Sequence, residues 1–253
     1  MTGEVVFGAE FSRLIPLWKE AFGDSDEFLA LFEREGYSAE RMACIIEDGE
    51  PISALYWFDC EYLGKKLAYL YAIATKKDRR GEGLCSRLVK AVHEHLSKRG
   101  YSGCLLSPAS DNLFSFYEKL GYKTCCFIDE FEAEKCDSAT NVNRISAEEF
   151  AKTRRSMLDK RAVIQEGACI NFLARQADFY KGDTFLLTAR RDGDRLFAPE
   201  FLGDVSLAGG ILNSLGCSKG VFRTPGTKRA LCMYLPLTTP ALAAPKYFAF
   251  TFE

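Results

Sequence analysis

Residues 76 to 89 read KKDRRGEGLCSRLV: a cluster of basic side chains, two glycines around one glutamate, then a leucine-led apolar pattern. The N–H groups that open a helix lack internal partners and sit at the positive end of its dipole, so a glycine-bearing loop entering a helix can receive phosphate oxygens. Gly81 and Gly83 let that backbone come close, and Arg79, Arg80 and Arg87, with Lys76 and Lys77, add positive charge. The expected target is a pyrophosphate. Two familiar phosphate loops do not fit. No Lys-Ser or Lys-Thr pair follows Gly83, and a GxGxxG fingerprint would need glycine at Ser86 and a βαβ unit around it. Taken by itself, the stretch also reads as a solvated basic turn before an amphipathic helix.

Composition limits what the rest of the chain can be. At 253 residues and 47% hydrophobic, it supplies core enough for one large domain or two ordinary ones. Thirty-three basic residues against 35 acidic ones give a net charge of -2, which leaves no general footprint for nucleic acid or an anionic membrane. The opening MTGEVVFGAEFSRL lacks the charge and apolar run of a signal peptide, and a cytoplasmic protein is expected. Ten scattered cysteines without a CxxC pair suggest reduced thiols filling a core. His93 and His95, two apart on a predicted helix, point to different faces and read as surface residues, so no metal is expected.

The elements that must hold the 76–89 stretch are legible as patterns. Phe11, Ile15, Trp18 and Phe22 fall at helical spacing, and Phe28, Leu29 and Phe32 continue a second helix. Met42 to Glu47, ISALYWFDCEYL and KLAYLYAIAT form a meander. Alternation in its last strand puts Leu67, Tyr69, Tyr71, Ile73 and Thr75 on one face and Ala68, Leu70, Ala72 and Ala74 on the other. Leu84, Leu88, Val92 and Leu96 make one stripe of a helix that follows Gly83. A strand GCLLS, a short helix with Leu113, Phe116, Tyr117 and Leu120 on its buried side, and the strand YKTCCFIDEF follow. The polar residues 132–143 mark a crossing into a second unit, whose strands include DTFLLTAR, RLFAPEFLG, GVFRTPG, CMYLPL and the terminal YFAFTFE, with a helical SLAGGILNSLG among them.

The strand YLYAIAT, the loop RRGEGLCSRLV, the strand GCLLS and the helix-turn FYEKLGYK together resemble the GNAT superfamily of N-acetyltransferases in order and spacing. That family's signature is Gln or Arg, two residues, Gly, one residue, then Gly or Ala; Arg80, Gly83 and Cys85 hold the three positions. The resemblance spans about the first 130 residues. It implies an α/β (mixed α+β) architecture, the acyl-CoA N-acyltransferase fold with a mostly antiparallel mixed sheet. Residues 1–134 would form the acetyl-CoA-binding catalytic domain. Residues 140–253 would form a second, smaller GNAT-like domain lacking the pyrophosphate loop, since Asp204 stands where positive charge is needed.

The resemblance further implies that the backbone of Ile73, Ala74 and Thr75 pairs with the pantetheine arm of acetyl-CoA. Arg80, Gly81, Glu82, Gly83, Leu84, Cys85 and Ser86 would cradle its pyrophosphate, without a metal. Two positions depart from the family: Cys85 replaces Gly or Ala, and Ser110 stands where many relatives have asparagine. Tyr117 matches the catalytic tyrosine, the acid for the departing thiolate.

A lysine-like amine, with a pKa of about 10.4, must lose a proton before it attacks a thioester. The bases considered are Asp59 and Glu61 in the middle meander strand and Glu130 and Glu132 farther on. A weaker resemblance, to tandem acetyltransferases of the enhanced-intracellular-survival type, adds the terminal carboxylate of Glu253. The expected activity is acetyl transfer from acetyl-CoA to a primary amine of a small molecule or peptide. A non-catalytic acyl-CoA sensor is the alternative, and the acidic balance argues against an aminoacyl-tRNA donor.

Overall fold

A computed structural model describes residues 3–252. In chain order its main elements are β1 (Glu4–Phe7), α1 (Phe11–Phe22), α2 (Asp26–Glu35), β2 (Met42–Glu47), β3 (Glu50–Tyr62), β4 (Lys65–Thr75), α3 (Leu84–Lys98), β5 (Gly103–Leu106) and α4 (Asp111–Glu118). There follow β6 (Lys123–Glu134), β7 (Asn143–Arg144), α5 (Ala147–Met157), α6 (Ala168–Leu173), β8 (Asp178–Lys181), β9 (Phe185–Asp192), β10 (Arg195–Gly203), α7 (Ala208–Leu215), β11 (Lys219–Pro225) and β12 (Arg229–Pro236). Two compact units result, one of residues 1–124 with 233–244, the other of residues 125–232 with 245–253. The division falls near the head of β6, ahead of the polar stretch at 132–143. Glu132 and Glu134 are outward positions of that strand, which is why composition alone gives them the look of a linker.

In the first unit the strand order is β1-β2-β3-β4-β5, closed by the second half of β12. Neighbours are antiparallel except β4 and β5, which run parallel, and Met233–Pro236 of β12 lies antiparallel to β5. One face carries an aromatic layer in which Trp18 of α1 and Phe32 of α2 meet Tyr56 and Tyr71. On the other, Leu84, Leu88, Val92 and Leu96 of α3 pack with Leu55, Trp57, Ala68 and Leu70. Each large side chain so buried contributes about 1.5–3 kcal/mol. Both histidines depart from the surface expectation. His93 is half-buried with its ring 2.7 Å from the Tyr122 hydroxyl, and burial pulls its pKa down to about 4. His95 stacks on Phe7.

The alternation read along β4 breaks once. Tyr71 faces Tyr56 and Ala74 faces Ala54, so β4 spends one residue more than β3 over that interval. Ala72 absorbs the excess with a left-handed φ of 48°. Parity then flips: Ile73 packs with Ala68 and Leu70 on the α3 side, and Tyr71 stays in the aromatic layer. The expected shared face of Tyr71 and Ile73 is thereby corrected.

The second unit orders its strands β6-β11-β10-β9-β8-β7, with β10 and β11 parallel and the rest antiparallel. Leu187, Phe201, Ile211, Leu212 and Phe222 centre its core. A bidentate ion pair between Arg154 and Glu200, at 2.7 and 2.9 Å, is fully buried, and the Tyr247 hydroxyl donates to the same carboxylate at 2.8 Å. The terminal YFAFTFE, expected as a strand, is not one among its described residues, 247–252, where Tyr247 makes an isolated parallel bridge with Ala162. The side chain of Gln165 takes the N–H of Phe250 at 3.1 Å and donates to its carbonyl at 2.9 Å, which satisfies that backbone locally.

Because a β-branched side chain resists the left-handed region, Ala72→Val is expected to cost about 1–2 kcal/mol of stability, read as a lower denaturation midpoint with an unchanged m-value.

Candidate functional site

Gly83 caps α3 in the left-handed conformation with φ 76°, two residues after Gly81 at φ 88°. A Cβ built on either would meet no atom within 4 Å, so conformation rather than crowding calls for glycine at both. No side chain caps α3, and its first turn holds no acidic residue. The first-turn N–H groups of a 15-residue helix are thus left for something outside it.

A cleft of about 620 Å³ opens at this helix end. Ile73, Ala74 and Thr75 of β4 line it, with Arg79, Arg80, Gly81 and Gly83 of the loop and Leu84, Cys85 and Ser86 of the first turn of α3. Tyr117 lines it as well, with Leu113 and Phe116 of α4. The opening has a topological cause: the β4–β5 ladder runs from Leu67↔Gly103 to Leu70↔Leu106 and stops, so the last residues of β4 have no strand partner on that side among the described residues. Thr75 uses its carbonyl there to accept a hydrogen bond from Arg80 Nε at 3.3 Å.

Of the residues expected to hold the ligand, Glu82 alone does not line the cleft. Its carboxylate turns back to Arg79, which also binds Glu47 at 2.7 Å. Arg79 is therefore a brace for the loop rather than an uncommitted cation, and its guanidinium holds both carboxyls below their usual range. Arg87 is likewise engaged, donating to the Gly3 carbonyl at 2.6 Å. Burial pushes the Cys85 thiol up to about 11 and the Tyr117 phenol well above its ordinary value, with Cys85 adding a smaller push on the tyrosine. Both stay protonated at neutral pH.

Among the described residues, none of the acids considered as bases lines the cleft. Asp59 faces Ala68 across the ladder, five residues before Ile73 and so roughly 17 Å away along β4. Its carboxylate accepts from the Tyr101 hydroxyl at 2.5 Å and lies 3.4 Å from Lys66 Nζ. Glu61 sits opposite Lys66, still farther along. Glu130 and Glu132 belong to the second unit, where Glu130 holds Arg223 and Arg229 at 2.8 and 3.1 Å. Glu253 lies outside the described residues. Ala21 and Phe22, at the end of α1, do line the cleft. Phe22, the last of the residues at helical spacing in α1, is 45% exposed.

The sequence of residues 7–125 matches the acetyltransferase (GNAT) domain family. This segment is a GNAT acetyltransferase domain. It coincides closely with the sequence-continuous part of the first unit, and the cleft lies wholly within it. No curated protein matches the chain. Solved structures share its fold at low identity. A GCN5-related N-acetyltransferase from Anabaena variabilis superposes with a TM-score of 0.74 at 13% identity, covering 93% of this chain and 73% of that one. One from Kribbella flavida gives 0.70 at 13%, covering 95% and 73%. Eis1 from Mycobacterium abscessus gives 0.69 at 12%, covering 93% and 74%.

In the second unit the start of α7 is closed among the described residues. Gly209 and Gly210 in its first turn are packed: their carbonyls accept the N–H groups of Cys136 and Thr140, and a Cβ at Gly210 would collide with the Thr140 side chain. Asp204 accepts the Ser206 N–H at 2.9 Å just ahead of the helix.

Glu47→Gln removes one arm of the Arg79 brace. The amides of residues 77–83 are then expected to exchange faster with solvent at neutral pH while the middle of α3 stays protected. In the parent protein the same loosening should appear on acidification, as pH falls through the lowered carboxyl pKa values of Glu47 and Glu82.

Proposed function

We propose that the protein is an acetyl-CoA-dependent N-acetyltransferase that acetylates a primary amine of a small molecule or peptide. The observation that carries this reading is the uncapped, glycine-led start of α3 at one end of a cleft that reaches Tyr117. The N–H groups at Gly81 to Ser86, with Arg80, would take the pyrophosphate. The edge of β4 at Ile73 to Thr75 would pair with the pantetheine arm and aim the thioester along the cleft toward α4. Cys85 fits this role, because its protonated thiol adds no charge beside the phosphates. Residues 1–134 would carry the chemistry, and the second domain would lack a cofactor loop.

Attack of the neutral amine forms the C–N bond, and collapse breaks the C–S bond, releasing amide and thiolate. The amine's proton balances the thiol finally formed. A thiol has a pKa of about 8.5, far below that of a phenol raised by burial, so complete proton transfer from Tyr117 runs uphill. Its service is a hydrogen bond to the departing sulfur, strongest as charge develops there. With no carboxylate or imidazole lining the cleft among the described residues, solvent receives the ammonium proton before attack. Among the described residues no helix is long and apolar enough to cross a membrane. The ten cysteines, unpaired by disulfides, suit a cytoplasmic setting.

Release of free thiol from acetyl-CoA, with polyamines, aminoglycosides, amino acids and peptides offered in turn, tests the activity. A response to none of them would favour the acyl-CoA sensor. Tyr117→Phe is expected to lower kcat by about 10²-fold while leaving the Kd for acetyl-CoA unchanged. Arg80→Ala should do the reverse, weakening Kd with little change in kcat. The ascending limb of kcat/KM against pH should move with the pKa of whichever acceptor is supplied, and Tyr117 should stay protonated through its ordinary value of about 10. An inflection in the carboxylate range that ignores the acceptor would point to a protein base instead.

A further inference from the structure

Three cysteines distant in sequence meet in the second unit. Cys125 and Cys126 are neighbours near the head of β6, and Cys232 comes from β12. Their sulfurs all lie within 4.8 Å of one another, and those of Cys125 and Cys126 are 3.4 Å apart. A regular strand sends adjacent side chains to opposite faces, so this convergence is not what strand geometry alone produces. Cys126 and Cys232 are fully buried, while Cys125 is half-buried. The Cys125 thiol lies 3.6 Å from the carbonyl of Cys232 and that of Cys126 3.7 Å from the carbonyl of Pro245, both within the unit. Among the described residues it is the one place where three groups able to hold a metal ion converge, and no histidine or carboxylate joins them.

We propose that Cys125, Cys126 and Cys232 form a three-thiolate site for a soft trivalent metalloid cation of the arsenite class. Two arguments select that class. The first is geometric: bonds to sulfur of about 2.3 Å at a pyramidal trivalent centre set three sulfurs roughly 3.4 Å apart, which the Cys125–Cys126 pair already matches and the observed spread allows, whereas zinc in a structural site wants a fourth protein ligand. The second is charge. Three thiolates around a monovalent or divalent cation leave net negative charge in a buried place, which costs several kcal/mol unless compensated; a trivalent centre leaves none. The step balances without redox change. Arsenious acid exchanges its three hydroxyls for three sulfurs, each thiol proton leaving with a hydroxyl as water. The site is independent of the acetyltransferase cleft, so neither reading stands on the other.

The test is native mass spectrometry of the full chain, reduced with a phosphine and incubated with arsenite. The expected product carries one arsenic less three hydrogens, and X-ray absorption of it should show three sulfur neighbours. Cys125→Ser, the least buried of the three, should lose the adduct while its circular dichroism stays that of the parent. Cys136→Ser, at an exposed thiol outside the cluster, should keep it. An adduct that survives Cys125→Ser in a folded protein, its absence from the parent, or capture of zinc in preference to arsenite would each overturn the proposal.

Discussion

The uncapped start of α3 is the constraint on which the first unit turns. A helix end without a side-chain cap keeps its first N–H groups exposed, and an anion placed there gains about 0.3–1 kcal/mol, rising to about 2 in partly buried geometries. Holding that end open needs left-handed backbone at Gly81 and Gly83, where any other residue would be strained. Arg79 supplies the stiffness, tying the loop through Glu82 to itself and through Glu47 to β2. Within the basic cluster Arg79 and Arg87 hold structure, and Arg79 and Arg80 both line the cleft.

The rest of the cleft follows from how β4 leaves its neighbour. β4 and β5 separate after Leu70 and Leu106, and a bulge at Ala72 re-aims the strand within the next few residues. Ile73 is thereby turned to the α3 side, where it lines the cleft. In the same cleft, the burial that seats Tyr117 also raises its pKa, so packing and chemistry are one arrangement: a phenol that keeps its proton can donate a hydrogen bond at any physiological pH.

The second unit repeats a similar order of strands and helix with other means of support. Its interior holds a charged pair, Arg154 and Glu200, that is tolerable in a low-dielectric core because Tyr247 and the Phe250 ring complete its contacts. Where the first unit opens a helix end, this one closes it, packing Gly209 and Gly210 against the 134–140 segment. Close approach of backbone explains those glycines, while conformation explains Gly81 and Gly83. The residue type is the same and the physical reason differs.

By itself the sequence determined the elements and the loop. The stripes of α1 and α3, the meander of β2 to β4, the glycine-led entry to α3 and the position of Tyr117 follow from periodicity and local backbone preference, which act over a few residues and leave marks in order and spacing. Tertiary structure decided the rest. The flip of Ile73 depends on register against β3, the exposure of Phe22 on where α1 ends over the sheet, and the commitment of Arg79 on a carboxylate 32 residues away. Apolar content gives the final segment the look of a strand even where a distant side chain, Gln165, takes up the backbone groups of Phe250. Cys232 meets Cys125 and Cys126 across more than a hundred residues, a distance over which chain spacing carries no geometric information and only the packed sheet brings sulfur to sulfur.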